Sequence, residues 1–169
     1  MKMKIFRKQS SAHVVAGALS IAASMFATVP ALASEKQFTV RHPVYQQECG
    51  ACHLAYPPQM LSAASWRAVM AGLDKHFGSD ASMDPATQSG IQRFLGTHAG
   101  KRDTSLNGKP QLRITETRWF VHEHSGELPR DIWKNPAIKS AANCAACHTS
   151  ADKGDYSERT IRLPKGAQQ

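Results

Sequence analysis

The chain has 169 residues, 41% of them hydrophobic and 20% charged, with 21 Lys and Arg against 13 Asp and Glu, 8 His and 4 Cys. That length suits one compact unit or two very small ones and excludes a large multidomain enzyme. The mixed composition excludes a disordered or fibrous chain.

Residues 1–33 carry Lys2, Lys4, Arg7 and Lys8 and no acid, then an apolar run from Val14 to Val29 that ends at Pro30-Ala31-Leu32-Ala33. A basic start, an apolar middle and small residues before the cut form a secretory signal peptide, with cleavage expected after Ala33. The run is shorter and richer in Ala and Ser than the roughly 20 apolar residues of a membrane span, and no later stretch approaches that length. The mature protein is therefore expected to be periplasmic, with no membrane span. Losing the four basic residues of the signal leaves 17 basic against 13 acidic groups in 136 residues, so the formal charge of +8 falls to +4. Lys101-Arg102 is the only adjacent basic pair left, a poor basis for a nucleic-acid groove.

Further along, Cys49-Gly50-Ala51-Cys52-His53 precedes Pro57-Pro58. A helix is then expected from about Ser62 to Phe77, stopped by Gly78, with Trp66, Met70, Leu73 and Phe77 on one apolar stripe and His76 at its border. Asp84-Pro85 opens a second helix as cap and first residue. Its apolar face is Ile91, Phe94 and Leu95, extended by His98. Residues 101–110, with Gly108 and Pro110, read as a surface linker. A third helix is expected from near Thr115 through Trp119, Phe120, Val121, His122 and His124 to Gly126. Cys144-Ala145-Ala146-Cys147-His148 repeats the cysteine motif, and the tail beyond Gly154 reads as an extended wrap with a frayed end. Strand signals are sparse. The expected fold is mostly α, with short helices and loops packed around two cofactors. A cytochrome c-like N-terminal lobe at 34–105 would precede a smaller helical C-terminal lobe at 106–169.

The cysteine motifs carry the chemistry. Cys-x-x-Cys-His is the attachment signature of c-type haem. On a helical turn, residues three apart lie on one side, so both sulfurs can form thioethers with the two vinyl groups of one porphyrin. The following histidine then serves as an axial iron ligand. Two disulfides would also use four cysteines in an exported chain. A zinc site would use two Cys-x-x-Cys pairs, but these stand 95 positions apart and each brings a histidine. A thioredoxin-like motif would need a βαβ pattern, and none is present. Two motifs behind an export signal, covering every cysteine, favour two covalently attached haem c groups on Cys49, Cys52, Cys144 and Cys147. His53 and His148 are then the proximal ligands.

The sixth ligand of a low-spin haem is commonly His or Met. Besides the two proximal histidines, His42, His76, His98, His122 and His124 compete with Met60, Met70 and Met83. His122 and His124, two apart on one helix, cannot both face one iron. By pattern alone His76, His98 and His124 are near equals.

From Tyr45 to about Pro164 the chain resembles the bacterial dihaem cytochrome c family. The likeness rests on ECGACHLAYPP at 48–58, SWRAVMAGLDKHFGSDASMDPAT at 65–87, LRITETRWFVHEH at 112–124 and KSAANCAACH at 139–148. The resemblance implies two haems, each held by two histidines. The distal ligands map to His76 and His124, while His98 and His122 fall at positions without a family role. Spacing adds an expected pairing: His76 lies 23 positions after His53, and His124 lies 24 positions before His148. Two imidazoles on one iron leave no open position for substrate. The expected function is thus a monomeric electron carrier that relays single electrons between redox proteins, not an enzyme. The resemblance implies a membrane cytochrome b on one side and a small oxygen-binding monohaem cytochrome c on the other. The rival readings are a dihaem peroxidase-type enzyme with one labile ligand, the small dihaem subunit of a periplasmic reductase, and a disulfide-bonded binding protein without haem.

Overall fold

The first helix, α1 (Pro43–Gly50), begins where His42 turns its Nδ1 back to accept the Tyr45 backbone N–H at 3.0 Å, with Pro43 at the first helical position. A histidine thus does the work of the usual Ser, Thr or Asp cap. The structure, a computed structural model, describes Phe38 and residues 41–126, 128–129 and 131–167. The expected signal peptide at 1–33 lies outside the described residues. Among them no helix is long and apolar enough to cross a membrane.

Helix α2 (Ala63–Met70) starts at Ser62, whose hydroxyl accepts the Ser65 N–H. The expected continuation to Phe77 does not occur. After Met70 the backbone tightens at Ala71-Gly72 into a 3-10 turn over Leu73–Lys75. A glycine inside a helix costs about 1 kcal/mol relative to alanine, and here the chain breaks at that point. Leu73 still reaches the core, but Phe77 leaves the stripe with φ 51° and lies 46% exposed. Helix α3 (Pro85–His98) is capped as expected: Asp84 Oδ1 accepts the Ala86 and Thr87 N–H groups at 3.1 and 3.0 Å. Gln88 of α3 donates to the Met70 carbonyl at 2.7 Å, satisfying an open carbonyl at the end of α2.

Ile91 and Leu95 of α3 bury themselves against Trp66, Val69, Met70 and Leu73, with Tyr45 and Leu61 completing eight buried side chains in this cluster. Each such aliphatic side chain contributes about 1.5–3 kcal/mol on burial.

Residues 101–110 are not a loose linker. Gly100 N–H donates to the Leu61 carbonyl at 2.8 Å and passes so close to the Gln59 carbonyl that no side chain fits there. The Thr104 hydroxyl sits within 2.8 Å of Ser65 Oγ and 3.0 Å of Ser62 Oγ, all three buried. Beyond it, β1 (Ser105–Leu106) and β2 (Lys109–Pro110) form a small antiparallel hairpin. Asn107 and Gly108 both have positive φ in its turn. Asn-Gly is the preferred pair for such a tight turn, a signal that the reading of this stretch as linker overlooked.

The third expected helix is shorter than its pattern. A 3-10 turn covers Ile114–Glu116, and Thr117 then caps α4 (Arg118–His124) by accepting the Phe120 N–H at 3.2 Å. Among the described residues the buried cluster of the C-terminal half comprises Ile132, Ile138 and Ala167, flanked by Trp133, Cys147 and Leu163 among others. Three buried side chains are too few for an independent core. The tail is folded rather than frayed over its described residues. Arg162 N–H donates to the Cys147 carbonyl at 2.8 Å, and Thr149 Oγ1 donates to the Thr160 carbonyl at 2.9 Å. Ala167 is buried.

Candidate haem centres

Both cysteine motifs occupy helical turns. Cys49 lies in the last turn of α1, and Ala51 continues in helical geometry toward Cys52. The second motif forms a 3-10 turn over Cys144–Ala146 with Cys147 as its cap. The four thiols are unbridged. Burial pushes Cys49 and Cys144 up to about 11, which disfavours the thiolate that disulfide exchange or zinc binding requires.

Each proximal histidine has one histidine facing it. His53 and His76 stand with ring centroids 6.2 Å apart and planes 23° apart. His124 and His148 stand at the same 6.2 Å with planes 74° apart. Equal separation at unequal angles marks a held distance rather than ring packing. It matches two metal–nitrogen bonds of about 2 Å, each continued by about 1 Å to the ring centre. Among the described residues no three His, Cys, Asp or Glu side chains converge as a metal cluster. A metal held here between two imidazoles would have to bring its own equatorial ligands, as a metalloporphyrin does.

The backbone presents these rings for ligation. His53 Nδ1 donates to the Leu54 carbonyl at 2.7 Å, and His124 Nδ1 donates to the Phe120 carbonyl at 2.8 Å. A proton held on Nδ1 leaves the Nε2 lone pair for a metal. His76 is pushed below the ordinary histidine range by burial, then by the nearby His53 and Arg113. Burial, then His124, does the same to His148. Both shifts favour the neutral, ligating form.

The second pair borders a cavity of about 310 Å³ walled by Trp119, Phe120, Trp133, Tyr156, Ile161 and Leu163, with Met60 reaching in from the N-terminal half. His124 stacks on Phe120 at 4.0 Å, and Trp133 lies 6.1 Å from His124. Inside this apolar wall His148 Nδ1, Tyr156 OH and Ser157 Oγ are buried without a hydrogen-bond partner among the described residues. Buried polar groups are otherwise nearly always paired, so the Tyr156 and Ser157 hydroxyls, which line the cavity, fit a large apolar group that carries polar substituents. The first pair is more open: Cys52, His53 and Phe77 are exposed.

The remaining candidates lie elsewhere. His98 is exposed and bonded through Nδ1 to the Phe94 carbonyl of its own helix at 2.9 Å. His122 is exposed on α4. His42 caps α1 and packs on Phe94. Met70 is core, and Met83 packs against the first cluster. Three participants escaped the sequence reading: Tyr56 stacked on His53 at 4.9 Å, Trp133 beside His124, and Arg113 over the Phe77 ring at 4.1 Å.

The family profile described as dihaem cytochrome c matches residues 45–156. The chain belongs to the dihaem cytochrome c family. It therefore carries two covalently bound haem c groups. It is similar to the dihaem cytochrome c from Rhodobacter sphaeroides, with 39% identity over 70% of this chain and 99% of that one, at a TM-score of 0.63. The dihaem cytochrome type c from Shewanella baltica is 40% identical over 72% of this chain and 92% of its own, at 0.64. No curated protein matches the chain. Family and neighbours agree with the mostly helical architecture and with a c-type dihaem cytochrome.

Proposed function

We propose that this dihaem cytochrome is an exported, periplasmic electron carrier, not an enzyme, and that it relays single electrons through two low-spin bis-histidine haems. The first haem is held by Cys49 and Cys52 with His53 and His76 as axial ligands. Cys144 and Cys147 hold the second, with His148 and His124. The lobes 34–105 and 106–169 carry one haem each. The observation behind this reading is the pair of facing histidines repeated at 6.2 Å. Bound between two imidazoles, iron exchanges one electron with no position open to a substrate. The chain's own part is to hold the rings, exclude water with the Trp119–Phe120–Trp133 wall, and offer Tyr156 and Ser157 as hydrogen-bond donors to the cofactor's polar groups.

Its partners are redox proteins, among them a membrane cytochrome b and a small oxygen-binding monohaem cytochrome c, which the mildly positive mature surface would meet as a monomer. Visible spectra of the oxidised and reduced holoprotein, with and without carbon monoxide, test the ligation. Two low-spin haems that ignore carbon monoxide are expected. A high-spin band or a carbon monoxide shift would instead indicate a peroxidase-type enzyme with a labile ligand.

A further inference from the structure

A cation from the C-terminal half of the chain covers the distal side of the first centre. Phe77 sets its ring edge-on to the His76 imidazole at 4.8 Å. The Arg113 guanidinium, at the entry to the 3-10 turn over Ile114–Glu116, lies over the same Phe77 ring at 4.1 Å. Arg113 Nε also pairs with Glu116 Oε1 at 3.5 Å, the two side chains being 49% and 60% exposed. An ion pair that wet contributes little to stability, so folding gains little from the charge placed there. The charge reaches the ligand all the same. After burial and His53, Arg113 is the third cause that pushes His76 below the ordinary histidine range.

We propose that Arg113 raises the reduction potential of the first haem by holding a fixed positive charge on its distal side, stacked over Phe77 beside His76. This rests on the ligand assignment above, in which His53 and His76 bind the first iron. A ferric iron between two neutral imidazoles leaves one net positive charge on its porphyrin core. Reduction cancels that charge: one electron arrives from a one-electron donor protein and enters the iron, and no bond is made or broken. A cation close by disfavours the ferric state more than the ferrous one. Exposure works the other way. Cys52, His53 and Phe77 are exposed, and water stabilises the charged ferric core. Arg113 opposes that pull, because a guanidinium is a permanent cation that also stacks on an aromatic face. Glu116, on the same turn, offsets part of the charge.

Potentiometric titration of the holoprotein tests this. Samples frozen at each poised potential and read by electron paramagnetic resonance report the two ferric haems separately, since their axial planes differ, 23° against 74°. In Arg113→Gln the one-electron equilibrium of the first haem is expected to shift about three- to tenfold toward ferric, tenfold being about 59 mV. The second haem should move much less. Arg113→Lys keeps the charge and is expected to restore most of the shift. Glu116→Gln leaves the guanidinium unpaired and is expected to move the first haem in the opposite direction. An unmoved first haem in Arg113→Gln overturns the proposal. Equal movement of both haems, or an equal shift of the first in Lys165→Gln, overturns it by assigning the effect to net charge. A shift toward ferric in both Arg113→Gln and Glu116→Gln overturns it by assigning the effect to packing of the turn. High-spin or carbon monoxide-sensitive haem in the parent defeats the ligand assignment and the proposal with it, and the spectra report that before any titration.

Discussion

The imidazole planes of His124 and His148 stand 74° apart, whereas those of His53 and His76 are only 23° apart. An axial imidazole donates π density to the iron d orbital perpendicular to its plane. Near-parallel planes act on one orbital and split the pair, while near-perpendicular planes act on both and leave them close in energy. The two ferric haems should therefore give different low-spin electron paramagnetic resonance signals. A rhombic spectrum is expected from the first and a more anisotropic one, with a larger principal g value, from the second. His124 owes its orientation to Phe120, which stacks on it and accepts its Nδ1–H. Phe120→Ala should cost about 3–5 kcal/mol of stability and shift only the more anisotropic signal. Two identical signals in the parent would contradict the ring geometry.

Phe77 is held in a left-handed conformation that bulky residues rarely adopt, with its ring edge-on to His76 at 4.8 Å and Arg113 over its face at 4.1 Å. Such a backbone costs about 1–2 kcal/mol for a residue with a Cβ, while Asn tolerates it. Phe77→Asn should therefore relieve strain and leave thermal stability close to the parent's. It also strips the ring from His76. The expected outcome is a normal melting temperature together with carbon monoxide binding at one haem, checked by calorimetry and by the reduced spectrum with and without the gas.

Much of the centre could be read from local spacing. The two Cys-x-x-Cys-His motifs, the Asp84-Pro85 helix start and the Ile91–Leu95 face are all set by contacts within a few residues, and the structure has them as expected. His76 and His98 were harder to separate, because both border apolar helical faces. What distinguishes them is the break at Gly72, which frees His76 from its helix, while His98 stays on α3 bonded to Phe94. Tyr56 was not legible at all, since its partner Ala142 is a backbone carbonyl 86 positions away. A backbone acceptor leaves no side-chain signature. The tail beyond Gly154, expected as an extended wrap, does lie along the second motif over its described residues, where its backbone pairs with His148 and Cys147.

Acid sensitivity should come from a repeated local device. Asp80, Asp84 and Asp103 accept hydrogen bonds from Ser82, Thr87 and Ser105, which lower each below the ordinary carboxylate value of 3.8. A carboxylate whose folded value is depressed binds more protons when unfolded. Its contribution is present above that ordinary value and disappears as pH falls through the folded value. Asp84→Asn keeps the cap on α3, because Asn accepts the same bonds, but it cannot titrate. Thermal melts at descending pH should therefore show little change near neutrality and a shallower loss of stability below pH 3.8 for the variant. A variant that loses stability as steeply as the parent would rule out a contribution from this cap.

Removing residues 161–169 separates a folded tail from a frayed one. Ile161 pairs with His148 as an isolated bridge, Arg162 holds the Cys147 carbonyl, and Leu163 lines the second cavity and packs on its small cluster. The first cluster, with its eight buried side chains, makes no use of the tail. Truncation after Thr160 should thus leave one haem unchanged and expose the other. Its solvent-shielding wall would be lost on the His148 side, raising solvent access and loosening His148 and His124. The expected readings are carbon monoxide binding at half of the total haem and loss of the more anisotropic resonance signal, with α1 to α3 helicity preserved by circular dichroism. If both haems stay insensitive to carbon monoxide, the tail is dispensable and the wall must come from Trp119, Phe120 and Trp133 alone.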